Sequence, residues 1–144
     1  MVLELHADRR GRHLAELRTS WWRERGTIVA DGREYRVYRE GLFSGDFILE
    51  SADRIVARAT RTSVFRRAFV IQHERGALTL RAQSAFRRAF VAQAGDVRLG
   101  SITPEGIFSR KSEVDLPADM PIAVKAFCVW LTVLLWKRDA DGGG

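Results

Sequence analysis

From Leu14 to about Val114 apolar and polar residues alternate in short runs, and Gly, Asp and Pro interrupt those runs at intervals of roughly 8–12 residues. That alternation places successive side chains on opposite faces of a strand, so the region reads as an antiparallel β meander. Asp31-Gly32 lies between Thr27–Ala30 and Arg33–Tyr38, and both residues tolerate the positive φ that a tight type I′ hairpin turn requires. Further breaks are expected at Gly41 to Gly45, Ser51 to Asp53, Glu74 to Gly76, Ala94 to Asp96 and Pro104 to Gly106. None is long enough to separate two domains.

The meander contains a repeat. Ser63-Val64-Phe65-Arg66-Arg67-Ala68-Phe69-Val70 returns 21 residues later as Ser84-Ala85-Phe86-Arg87-Arg88-Ala89-Phe90-Val91. A period of that length is two strands with their turns, which would set the copies about 10 Å apart across the sheet. By parity Phe65, Phe69 and Ile71 share one face, as do Phe86, Phe90 and Ala92, and these faces are expected to meet the core. Arg67 and Arg88 fall on the same faces. Either a bulge re-aims them, or they sit at a barrel mouth and pair with a carboxylate or with the carbonyls at a helix end. Arg66 and Arg87 are expected to point outward, with Arg58, Arg61 and Arg81 on neighbouring strands, as a patch for anionic ligands. The competing reading has those strand arginines merely solvating the sheet.

After Leu116-Pro117 the pattern changes. From Ile122 to Trp136 only Lys125 and Thr132 are polar, so the segment has no polar face. It reads as a helix over about 120–137, with Asp119 as a candidate cap and Lys137-Arg138 suiting its negative end. A helix apolar on all sides must be buried in a protein core or in lipid. Fifteen residues at about 1.5 Å each span roughly 22 Å, short of a hydrocarbon layer of about 30 Å. A short tail anchor is therefore the alternative, and a sheet wrapped around the helix the main expectation. A helix about 10–12 Å across needs more than the eight strands that fill themselves with side chains. The residues before it supply about eleven strands. The expected fold is mainly β: a closed antiparallel barrel of about 11–12 strands enclosing a hydrophobic C-terminal helix, one domain over 1–138, followed by a flexible Gly-rich tail at 139–144.

The repeated Phe-rich segments, Gly100-Ser101-Ile102, and Leu116-Pro117-Ala118-Asp119-Met120-Pro121 leading into an apolar helix that ends Trp136-Lys137-Arg138 resemble the tubby C-terminal-like superfamily. That superfamily includes tubby proteins, phospholipid scramblases and LURP-one-related proteins, and the chain looks like a small bacterial member. The resemblance implies a twelve-stranded barrel around a hydrophobic helix and, by way of tubby proteins, phosphoinositide binding and membrane tethering. The inositide-binding residues of tubby proteins have no positional counterpart here. Nor has the calcium segment proposed for scramblases: Asp139 and Asp141 before Gly142-Gly143-Gly144 stop short of a twelve-residue loop.

Composition narrows the chemistry. The 144 residues carry 24 basic and 18 acidic side chains for a net charge of +6, and all the basic residues but Lys111, Lys125 and Lys137 are arginine. Such a surface favours anionic partners. The single Cys128 excludes an internal disulfide framework and, at mid-helix, reads as core. His6, His13 and His73 are scattered, no GxSxG elbow or phosphate loop occurs, and no metal or other cofactor is expected. Trp21-Trp22 is expected to place one ring in the core and one outside. With no leader evident, the expected location is cytoplasmic, with peripheral contact at the inner membrane as a further option. The functional expectation is a non-enzymatic module recognising anionic phospholipid headgroups. A protein-interaction scaffold without a small ligand is the alternative, and nucleic-acid binding a weaker one.

Overall fold

The computed structural model describes residues 2–7, 12–41, 45–62, 67–83, 88–104 and 112–142. The strands are β1 (Val2–Ala7), β2 (Arg12–Ser20), β3 (Arg25–Ala30), β4 (Arg33–Arg39), β5 (Phe47–Ser51), β6 (Arg54–Arg61), β7 (Ala68–His73), β8 (Gly76–Ala82), β9 (Phe90–Ala94), β10 (Val97–Pro104) and β11 (Ser112–Asp115). They form one sheet in chain order, each antiparallel to the next. The helix α1 (Ile122–Gly142) completes the molecule. The structure is thus mainly β, a meander with one C-terminal helix. The meander begins earlier than the alternating pattern, because β1 precedes Leu14.

The two ends of the sheet differ. At the turn end, β3–β4, β5–β6, β7–β8 and β9–β10 are joined by two residues each: Asp31-Gly32, Ala52-Asp53, Glu74-Arg75 and Gly95-Asp96. Asp31 and Gly32 have φ of 51° and 71°, the positive values that the expected hairpin requires. The opposite end, called here the arginine end, carries longer connections. Three of them are closed in the same way, with the N–H of residue i donating to the carbonyl of residue i+6: Glu40 to Asp46 at 2.9 Å, Thr62 to Ala68 at 3.3 Å and Gln83 to Ala89 at 2.9 Å. The repeat therefore has a third copy, in which Phe47-Ile48-Leu49-Glu50 stands where Phe69-Val70-Ile71-Gln72 and Phe90-Val91-Ala92-Gln93 stand later. Conservative exchanges of Leu for Ile and Glu for Gln hid it.

The helix is the core. Ten consecutive residues, Ala123 to Thr132, are each at most 9% exposed, so no face of nearly three turns meets water. Phe47 of β5, Phe69 and Ile71 of β7, Leu80 of β8, and Phe90 and Ala92 of β9 are buried in the same cluster. Trp130 is its hub: Phe47 meets it edge-on at 5.5 Å, Trp21 and Phe127 stack on it at 6.1 and 6.4 Å, and its indole N–H donates to Thr19 Oγ1 at 2.9 Å. Thr132, wholly buried, donates its hydroxyl to the Cys128 carbonyl at 2.8 Å. No helix among the described residues is long and apolar enough to cross a membrane.

Four expectations are corrected. The helix runs past 137 to Gly142, so residues 139–142 are its last turn instead of a tail. Asp139 forms an ion pair with Arg67, and that long-range contact is invisible to local pattern. Asp119 is not the cap, since Pro121 immediately precedes Ile122 and its carbonyl takes the first helical bond from Lys125 N–H at 3.0 Å. The Asp119 carbonyl instead accepts from Arg75 Nη1 at 2.6 Å. Trp21 lies in a single 3-10 turn, Trp21–Arg23, and not on a strand. The repeated segments are strands only from Ala68 and Phe90 onward. Phe65, Arg66, Phe86 and Arg87 lie outside the described residues.

Candidate anion-binding site at the arginine end

Strand parity carries arginines to the rim of the core at this end. On β6, Ala57 and Ala59 face the helix, and Arg61 shares their side; on β4, Arg39 shares the side of buried Val37. Arg61 lies opposite the core residue Phe69, and Arg39 opposite Phe47. The helix brings Arg138 to the same place. Its guanidinium sits 5.7 Å from the centre of the Phe47 ring and donates through Nε to Glu24 Oε1 at 2.9 Å. Glu24, in the left-handed conformation at φ 50°, ends the 3-10 turn. It also pairs with Arg39 at 3.6 Å.

Three half-buried or rim guanidinium groups thus share Glu24. The consequence shows at Arg61, whose pKa is pushed down by burial and then by Arg138 and Arg39, with Glu24 pulling the other way. Arg61 makes no ion pair among the described residues. Arg67 approaches the same helix end but is already paired with Asp139. That pairing supplies the carboxylate partner expected for an inward Arg67. The Arg88 carbonyl accepts the Trp136 indole N–H at 2.7 Å.

A shallow groove of about 840 Å³ continues from Arg39 over the outer face of β2, β3 and β4. Arg18, Arg23, Arg25, Arg36 and Arg39 line it with Tyr38, Ser20 and Thr27, and among the described residues no carboxylate does. Register explains the convergence. Arg18 lies opposite Thr27 and Thr27 opposite Arg36, so two arginines flank a threonine across three strands, about 10 Å from end to end. Arg25 lies opposite Ser20 on one side and Tyr38 on the other. Arg18 is held by Glu16 at 2.6 Å and Arg36 by Glu50 at 2.6 Å, whereas Arg23 and Arg25 are exposed and have no ion pair among the described residues. Gly26 lets the strands close here: a Cβ on it would fall 2.5 Å from the Arg18 carbonyl oxygen.

The described members of the expected patch do not converge. Arg58 points outward but is taken up by Glu40 at 2.5 Å and Asp46 at 3.2 Å. Arg81 is exposed and donates to Gln93 at 2.8 Å. Their register partners on β7, Gln72 and Ala68, are four residues apart, about 13 Å along the strand. Arg61 points to the opposite side, and Arg66 and Arg87 lie outside the described residues. Sequence reasoning missed Arg39 and Arg138 at the rim of the core and Arg18, Arg23, Arg25 and Arg36 in the groove. The parity of Arg61 with Ala57 and Ala59 was an available signal; the groove needed the register of three strands.

The connections carry the same polarity. Among the described residues, the connections at the arginine end hold Arg23, Arg67 and Arg88 against Glu24, Glu40 and Asp46, and those at the turn end, with 116–121, hold Arg75 against Asp31, Asp53, Glu74, Asp96 and Asp119. Cys128, wholly buried, has its thiol pKa pushed up to about 12, which leaves it without nucleophilic character. Among the described residues no group of three His, Cys, Asp or Glu is placed to hold a metal ion. Comparison with protein-family models, with curated proteins and with solved structures finds no match to this chain.

Proposed function

We propose that this chain is a non-enzymatic module that docks on anionic phospholipid headgroups through its arginine end. The observation that carries the reading is the excess of guanidinium at the mouth, where Arg39, Arg61 and Arg138 share Glu24, continuous with a groove bearing Arg23 and Arg25 and, among the described residues, no carboxylate. Guanidinium forks match phosphate oxygens, and clustered basic residues gain about 1 kcal/mol each near an anionic bilayer. Docking would be peripheral and at a cytoplasmic membrane face. In this reading the sheet closes between β1 and β11, whose Cα atoms approach within 8 Å. A closed meander around an apolar helix is also what a tubby-like relationship would entail.

The test is co-sedimentation of the intact chain with vesicles of phosphatidylcholine alone or mixed with phosphatidylserine. Binding is expected only to the anionic vesicles and to weaken with salt. Arg23→Ala with Arg25→Ala should reduce affinity about 30-fold, two charges at about 1 kcal/mol each, without changing the melting temperature. Absence of binding at low salt overturns the proposal, and complete displacement from vesicles by single-stranded RNA would point to a polynucleotide ligand.

A further inference from the structure

A second cavity, of about 420 Å³, opens at the turn end between the strand ends and the start of the helix. Its floor is apolar, formed by Val56, Pro121, Ala123 and Val124. Its rim is polar: Tyr35, Ser51 and His73 share the inward parity of Val37, Leu49 and Ile71 on their strands, and Arg33, Arg54 and Arg75 surround them. The volume lies within the range of small-molecule sites, about 300–1,000 Å³.

The rim has donors to spare. Among the described residues Glu74 is the one carboxylate lining the cavity, and it is already paired with Arg54. Arg33 is exposed and has no ion pair among the described residues, while Arg75 donates to the Asp119 carbonyl. His73 Nδ1 accepts the Arg75 backbone N–H at 3.4 Å, which leaves its proton on Nε2. Burial, reinforced by the Arg75 charge, lowers the His73 pKa and keeps the ring neutral, as a further N–H donor.

We propose that this cavity binds a small organic carboxylate, its charged head held by Arg33 and the neighbouring donors and its short apolar tail lying on Val56, Ala123 and Val124. Guanidinium takes carboxylate oxygens two at a time, and the floor offers a tail nothing to hydrogen-bond. This site is independent of the arginine end, at the opposite pole of the helix.

The probe is sodium hexanoate, with hexylammonium as the cationic match and acetate as the tailless one. Binding is followed by NMR of the His73 imidazole, assigned by its loss in His73→Gln. Hexanoate should shift that resonance saturably and raise the His73 pKa; acetate should bind more weakly and hexylammonium not at all. Arg33→Ala, a change at an exposed residue, should weaken hexanoate about tenfold. No saturable shift at millimolar hexanoate, an equal shift with hexylammonium, or undiminished affinity in Arg33→Ala would overturn the proposal.

Discussion

The two ends of the sheet solve opposite problems. At the turn end four connections of two residues each fix register, and they do so with backbone in unusual places: Asp31, Ala52 and Asp53 hold positive φ without being glycine. At the arginine end the connections are longer and the unusual feature is charge, with Arg39, Arg61 and Arg138 gathered around Glu24. Glu24 also holds positive φ, so what separates the two ends is the length of the connections and the excess of guanidinium. Tight turns secure register, whereas an excess of guanidinium over carboxylate invites an external anion. The buried helix joins the two, starting beside Arg75 and ending beside Glu24.

Breaking that shared element should have the largest effect. Trp130→Ala removes a wholly buried ring touching Phe47, Phe127 and Trp21 together with the indole N–H that Thr19 Oγ1 accepts, and it should cost about 3–5 kcal/mol by denaturant titration. A loss under about 1 kcal/mol would mean that the helix is not the core. Next, Gly32→Val forces a β-branched residue to φ 71° and should cost about 1–3 kcal/mol while leaving vesicle binding unchanged. Glu24→Gln should do the reverse. It takes a carboxylate away from Arg39 and Arg138, so stability falls by only about 1 kcal/mol while affinity for anionic vesicles rises about fivefold.

A smaller effect belongs to His73. Its folded pKa lies below the ordinary value of 6.5, because burial and Arg75 both disfavour the imidazolium. The unfolded chain therefore binds the proton first on acidification, so stability rises with pH through the window below 6.5 and is lost as pH falls. Urea titrations across that window should show a shallower acid loss in His73→Gln than in the parent. An identical pH profile would remove His73 from the cavity rim.

How much of this was legible depended on range. The helix was plain from Ile122 to Trp136 because thirteen of its fifteen positions are apolar, and the Asp31-Gly32 turn was plain because two adjacent residues carry its whole signal. Residues 139–142 were not, since Asp139 is fixed by Arg67, 72 positions away. The repeated Arg66 and Arg87 drew the eye as a patch, yet the arginines that the described structure converges are unrepeated ones. Arg18 and Arg36 meet only through the register of β3, and Arg138 meets Arg39 and Arg61 only because the helix runs the full depth of the sheet. A single sequence shows alternation directly; it does not show which strand ends share a rim.

The most direct measurement compares two charge reversals of equal size at opposite ends. Arg25→Glu alters the groove at the arginine end, and Arg98→Glu alters an exposed residue at the start of β10, at the turn end; both lower the net charge by two. Affinity for vesicles containing phosphatidylserine, measured by co-sedimentation at low salt, should fall about 30-fold for Arg25→Glu and less than about twofold for Arg98→Glu. Equal losses would show that only overall charge matters, and unchanged binding in Arg25→Glu would contradict docking through the arginine end.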